Sequence, residues 1–279
     1  MDAAARRSAL RQRRREYLFR MAEAGPRSPE RVQSLDRTFG LLEQLADGPL
    51  TLSQLAEATS LPMPTVHRLL RFLTSQGYVR QDRAKRYSLG LRMIRLGQSA
   101  SRGLGPWITP YLARLVDLFG ETANMALLEG DACVYVAQVP SPRSMRMFTE
   151  VGRVVMLHCT GVGKAILSEL DDDQVSALLE RAGLPSRTEH TITTVPAMLE
   201  TLHRGRRDGY VLDDGEQELG VRCVAVPLKD LPFRAAISIS GPSSRVRSED
   251  VPRIAPQLVA IAAEVSAQFA AGRGVELTG

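Results

Sequence analysis

Three cysteines (Cys133, Cys159 and Cys223), four histidines and carboxylates such as Asp213 supply the groups with which this chain could attack an electrophile or bind a metal. A cysteine hydrolase needs a thiolate, a base beside it and a third group that orients the base. His158 adjoins Cys159, but neighbouring side chains on a strand point to opposite faces, so the two cannot work as a pair there. Cys223 with His190 or His203 stays open from the sequence, although no nucleophile-elbow motif accompanies it. A Cys/His-dependent hydrolase is therefore the rival reading, and no enzymatic activity is expected. His158, Cys159 and Cys223 lack paired ligand spacing, so neither metal nor cofactor is expected. Gly161-Val162-Gly163, just ahead of a helical run, offers different chemistry. Free N–H groups and the helix dipole at such a turn suit a carboxylate, although the same glycines also make a plain turn. Ser238 and Ser240, at i and i+2, project from one face of one strand. Cys223 lies in a mostly apolar strand, where an inert buried thiol is the default.

A second group of side chains suits nucleic acid. Met63, Thr65, His67, Arg68 and Arg71 fall on one face of a helix predicted from about Pro64 to Gln76, whose other face carries Val66, Leu69, Leu70 and Leu73. Two helices precede it. The first follows a stripe of Leu35, Phe39, Leu42 and Leu45 to a stop at Asp47-Gly48-Pro49. The second is capped by Thr51 and buries Leu52, Leu55 and Ala56. Gly77 ends the third, and two short strands, Tyr78–Gln81 and Arg86–Leu89, make a hairpin with a basic tip of Arg83, Lys85 and Arg86. Three helices too short to stand alone, followed by a hairpin, form the winged helix-turn-helix pattern.

The charge distribution agrees with this division. Residues 1–103 hold 19 Lys and Arg against 9 Asp and Glu, and the remainder holds 17 against 22, so a basic front precedes an acidic back. Eight arginines in residues 1–27 supply much of the excess. A non-specific nucleic-acid binder acting through this basic half is thus a further alternative, one that needs no sensing domain. Residues 1–30 read as an arginine-rich, mostly disordered extension with a helical tendency from Ser8 to Ala24. A winged helix-turn-helix over 31–90, a linker helix over 91–105 and a mixed strand-and-helix domain over 106–273 follow. No membrane span or signal peptide is read, and three scattered cysteines fit a reducing cytoplasm.

Val32 to Gly97 resembles the DNA-binding half of IclR-type regulators. The later half resembles their effector domain at Gly152-Arg153, His158 to Ala165, Gly209-Tyr210, Asp213, Gly220 to Cys223 and Ala236 to Pro242. The runs Gly120–Leu128, Tyr135–Ser141 and Met145–Arg153 further resemble the allantoin-pathway repressors of that family. The resemblance implies an α+β chain: a winged helix-turn-helix, a linker helix and a GAF/PAS-like α/β effector-binding domain, assembled as homodimers or dimer-of-dimers tetramers. It implies a repressor that reads a pseudo-palindromic operator under the control of a small organic acid, such as allantoate or glyoxylate. It places Met147, Gly161, Val162, Asp213, Val221, Cys223, Ser238 and Ser240 at the effector pocket. Asp213 would repel an anion there unless it accepts from the ligand or is itself protonated.

Overall fold

The computed structural model describes residues 32–46, 48–101, 105–147 and 149–273, and it divides between Ala100 and Ser101 into two compact units. The arginine-rich extension and residues 102–104 of the linker lie outside the described residues.

In the first unit, helices α1 (Gln33–Ala46), α2 (Leu52–Thr59) and α3 (Met63–Ser75) precede strands β1 (Val79–Gln81) and β2 (Tyr87–Leu89), then α4 (Arg92–Ser101). Thr51 caps α2 in a reciprocal box. Its hydroxyl accepts from Gln54 N at 3.3 Å, and Gln54 Oε1 accepts from Thr51 N at 2.9 Å. Gly77, at φ 76°, sits in the left-handed region just past α3, where a side chain would be strained. Arg92 at the start of α4 donates to Gln76 O at 3.0 Å and lies 4.9 Å over the Tyr78 ring, which ties α4 to the end of α3. The core is Leu41, Leu45, Leu55, Val66 and Leu70. Here α1 departs from expectation: Leu35 and Phe39 are exposed. Successive residues turn by about 100°, so the Leu41–Leu45 row neighbours the Leu35–Phe39–Leu42 row. The core covers Leu41 and Leu45 and leaves Leu35 and Phe39 outside. The hairpin is also more than two strands. Leu50 bridges Tyr87 by reciprocal backbone bonds of 2.9 and 2.7 Å, adding a partner from the α1–α2 connection.

The second unit runs α5 (Gly105–Phe119), β3 (Thr122–Glu129), β4 (Ala132–Val139), β5 (Val154–Val155), α6 (Gly161–Leu167), α7 (Asp172–Ala182), α8 (Val195–Asp208), β6 (Val211–Asp214), β7 (Val221–Leu228), β8 (Ala235–Pro242) and α9 (Val251–Gln268). The strands form one antiparallel sheet in the order β5-β4-β3-β8-β7-β6. On one face α5 and α9 bury Ile108, Leu112, Leu258 and Ile261 against Val224, Ile237 and Ile239. On the other, α6, α7 and α8 bury Val162, Ile166, Leu179 and Leu202 against Ala225 and Ala236. This is the layered α/β domain expected from the resemblance. Ser248–Ala271 is long and apolar enough by length and composition alone to cross a membrane, but Ile254, Leu258, Ile261 and Val265 pack it onto the sheet as a core helix. Helix α6 starts three residues earlier than expected, at Gly161, because the Thr160 hydroxyl caps Gly163 N at 3.1 Å. Gly163 must be glycine: a Cβ there would lie 2.3 Å from Leu157 O.

Candidate functional site

On α3, Met63, His67, Arg68 and Arg71 are exposed and Thr65 is half-buried, while Val66, Leu70 and Leu73 face the core. The helix thus presents a basic outer face above a closed apolar one. On the wing, Arg83 and Lys85 are exposed at the turn, with Lys85 at φ 57°. Arg86 is engaged within the hairpin: its Nε donates to Asp82 Oδ2 at 2.9 Å, and its backbone N–H donates to Asp82 Oδ1 at 2.9 Å. These bonds, the backbone one foremost, hold the Asp82 carboxyl below its usual range.

In the sheet, strand register builds a polar ladder. Asp213 pairs with Cys223, Cys223 with Ser240, and Ser240 with Thr122, so the four side chains share one face. Two residues along, Ser238 pairs with Asn124 and Asn124 with Gln138, adding a second polar row on the same face. Thr122, Asn124, Ser238, Ser240, Cys223 and Asp213 are all sealed from solvent. The Ser240 hydroxyl donates to Cys223 Sγ at 3.1 Å. The first turn of α6 lies directly on the thiol, since a Cβ on Gly161 would fall 2.6 Å from Cys223 Sγ. Val162 belongs to the same buried cluster. Val221, half-buried, shares the face of Cys223 two residues on. Met147 is half-buried in the loop after β4, two residues before Thr149, whose hydroxyl donates to Asn124 Oδ1 at 2.9 Å.

Beneath α6 the wholly buried Lys164 ammonium pairs with the Glu216 carboxylate. Asp213 Oδ1 accepts from Glu216 N at 2.9 Å and Gln217 N at 3.4 Å. Burial pushes the Asp213 carboxyl up to about 7, with Glu216 adding to the rise and Lys164 opposing it. Burial thus favours the uncharged form of this carboxyl well above the pH at which an exposed aspartate loses its proton. Sequence reasoning missed Asn124, Gln138, Lys164 and Glu216. The signal for Asn124 was present: Thr122 and Asn124 alternate with Ala123 and Met125, a polar face on a buried strand.

The hydrolase chemistry finds no support. His158 and Cys159 lie in the turn before α6 rather than on a strand, so the alternation argument does not apply. Geometry parts them instead: His158 Nε2 donates to Pro185 O at 3.0 Å, and Cys159 Sγ donates to Gln217 Oε1 at 2.8 Å. Burial pushes the Cys223 thiol to about 11 and Cys159 to about 12, so both stay protonated and unreactive at neutral pH. His203 is on the surface with Asp172, at 2.7 Å, and His190 is exposed.

A winged helix with a basic exposed face, joined in one chain to an α/β domain with a buried polar ladder, defines a class: helix-turn-helix regulators with a second, α/β domain. Residues 34–83 match the IclR helix-turn-helix domain, and residues 101–267 match the bacterial transcriptional regulator IclR C-terminal domain. The chain belongs to the IclR family of bacterial transcriptional regulators. It is 37% identical over 252 residues to the acetate operon repressor of Salmonella typhimurium, covering 87% of this chain and 92% of that protein. It is 31% identical over 237 residues to the transcriptional repressor AllR of Escherichia coli, covering 82% and 88%. The solved structure of Thermotoga maritima IclR matches with a TM-score of 0.70 at 26% identity, over 86% of this chain and 99% of that one. These relatives are regulators, not enzymes. The acetate operon repressor is more similar than AllR, so membership of the allantoin-pathway branch does not follow from similarity.

Proposed function

We propose that this protein is a homo-oligomeric transcriptional repressor. Its winged helices read a pseudo-palindromic operator, and a small organic acid held at the Asp213–Cys223–Ser240 ladder controls that binding. The reading rests on one observation: thiol, hydroxyl and carboxyl groups are sealed together against the glycine turn of α6, a cluster that folding alone does not require. The acid's carboxylate approaches the Gly161 and Val162 end of α6 beside the contact that Gly161 makes with Cys223, and its remaining oxygens meet Ser238 and Ser240, with Met147 and Val221 as apolar wall. Met63, Thr65, His67, Arg68 and Arg71, with Arg83 and Lys85 on the wing, take the DNA, and Arg86 joins them through the guanidinium N–H groups that its pair with Asp82 leaves over. The repressor assignment draws on the names of the two curated relatives. Glyoxylate and allantoate stand as test ligands for the acid.

The test is a selection of binding sites from a random duplex pool, followed by titration of the selected duplex with and without glyoxylate or allantoate. A pseudo-palindromic consensus and an operator affinity that shifts 5- to 150-fold with an acid are expected. A pool that yields no consensus, or an operator affinity indifferent to every small acid, overturns the reading.

A further inference from the structure

Helix α3 leaves one large apolar side chain outside both the core and the set of groups assigned to DNA above: Phe72, 61% exposed. At about 100° and about 1.5 Å per residue, Phe72 stands about 40° round the helix and about 6 Å along it from Arg68. Leu70, which belongs to the core, points about 160° away from it. Pro64, Arg68 and Phe72 thus form one outward row, with Arg71 and Ser75 beside it, and all five are exposed. Helix α3 contains no Asp or Glu, so no acid of its own offsets the two arginines.

A lone exposed apolar residue is ordinary on most surfaces. The setting of this one is not. A protein seated on the ring would also desolvate Arg68 and Arg71, which is costly unless it brings paired acids. A DNA backbone satisfies both arginines, yet a phenyl ring offers a phosphate no hydrogen bond. The major groove presents one apolar group, the C5 methyl of thymine, and Phe is among the side chains that contact it. A helix lying in that groove with Arg68 at a base edge carries Phe72 about 6 Å further on, close to two base steps of about 3.4 Å.

Building on the operator reading above, we propose that Phe72 is a specificity-determining residue of the DNA-binding face. Its ring covers the methyl group of one thymine in each half-site, about two base pairs from the base that Arg68 reads. It favours thymine over cytosine through that methyl group, without a hydrogen bond.

The operator selected from the random pool supplies the half-site for the test. Each of its thymines is replaced in turn by deoxyuridine, which removes only the methyl group, and the duplexes are titrated with full-length protein. Wild type should lose about fourfold in affinity at one position, the effect of one buried methyl group. Phe72→Ala should bring that loss below 1.5-fold while keeping the losses at other thymines. Phe72→Leu, with a smaller contact, should fall between the two, and it serves if Phe72→Ala binds too weakly to titrate. Thr65→Ser, which removes the other methyl-bearing side chain near the groove, should leave the loss at that position fourfold. A wild type indifferent to every replacement, or a loss unchanged in the Phe72 variants, overturns the proposal and leaves the operator reading standing. A pool that yields no consensus removes both.

Discussion

Gly161 and Cys223 are in direct contact: the position a Cβ would take on Gly161 is 2.6 Å from the Cys223 sulfur and 3.2 Å from its Cβ. Two segments far apart in sequence thus close on one another with no space for a methyl group. Gly161→Ala should destabilise the domain by about 1–3 kcal/mol through overpacking. Pairing it with Cys223→Ala removes the sulfur and should recover part of that loss. A double-mutant cycle by urea unfolding measures the coupling. Strictly additive losses would mean that the two residues do not press on each other.

For DNA reading, Arg68→Ala should weaken binding to a selected operator by about 1–3 kcal/mol while changing scrambled duplex much less. Titrations of both duplexes decide it. Equal losses on the two would make Arg68 a phosphate anchor and would favour a non-specific mode of binding.

The Asp213 carboxyl gives a pH prediction. Its value of about 7, mainly from burial, lies above the ordinary 3.8. A carboxyl raised in this way favours the folded state at low pH, and that contribution is lost as pH climbs from about 4 through about 7. Bound acid follows the same sign. An anion lies more easily beside the protonated carboxyl, so affinity should fall by up to tenfold per pH unit above about 7. Lys164, Glu216, Cys159, Cys223 and Tyr135 are the other titratable groups around it. Calorimetry from pH 5.5 to 8.5 should show this slope in wild type and lose it in Asp213→Asn. A slope retained in the variant would assign the titration elsewhere.

Lys164→Met should destabilise the second unit by about 3–5 kcal/mol, because it strands the Glu216 carboxylate in the interior. Replacing both residues, with Glu216→Leu added, should recover most of the loss. Thermal unfolding of the two variants compares them, and an unchanged loss in the double variant would show that the pair does more than neutralise itself.

The helices and strands were largely legible because their signals are local. Thr51 with Gln54, Gly77 after α3, and the alternation along β4 each mark an element within a few residues. Where two apolar rows compete on one helix, as with Leu41–Leu45 and Leu35–Phe39, only packing decides which is buried. The two-residue β5 and the Leu50–Tyr87 bridge have no local signature, since pairing alone defines them. The same limit applied to the ladder. Ser238 and Ser240 announced a shared face by spacing, whereas Asp213 and Cys223, and likewise Asn124 and Ser238, become neighbours only through strand order. The Lys164–Glu216 pair, 52 residues apart, was invisible for that reason.

The anchoring of Arg92 bears on how motion could pass through the first unit. The guanidinium holds the carbonyl of Gln76, the residue that caps α3, and lies on the Tyr78 ring, while at the corner between them a Cβ on Gly90 would fall 2.1 Å from Gly77 O. A corner tied at both ends and packed at its apex couples the first turn of α4 to the end of α3, so those two segments should shift as one piece.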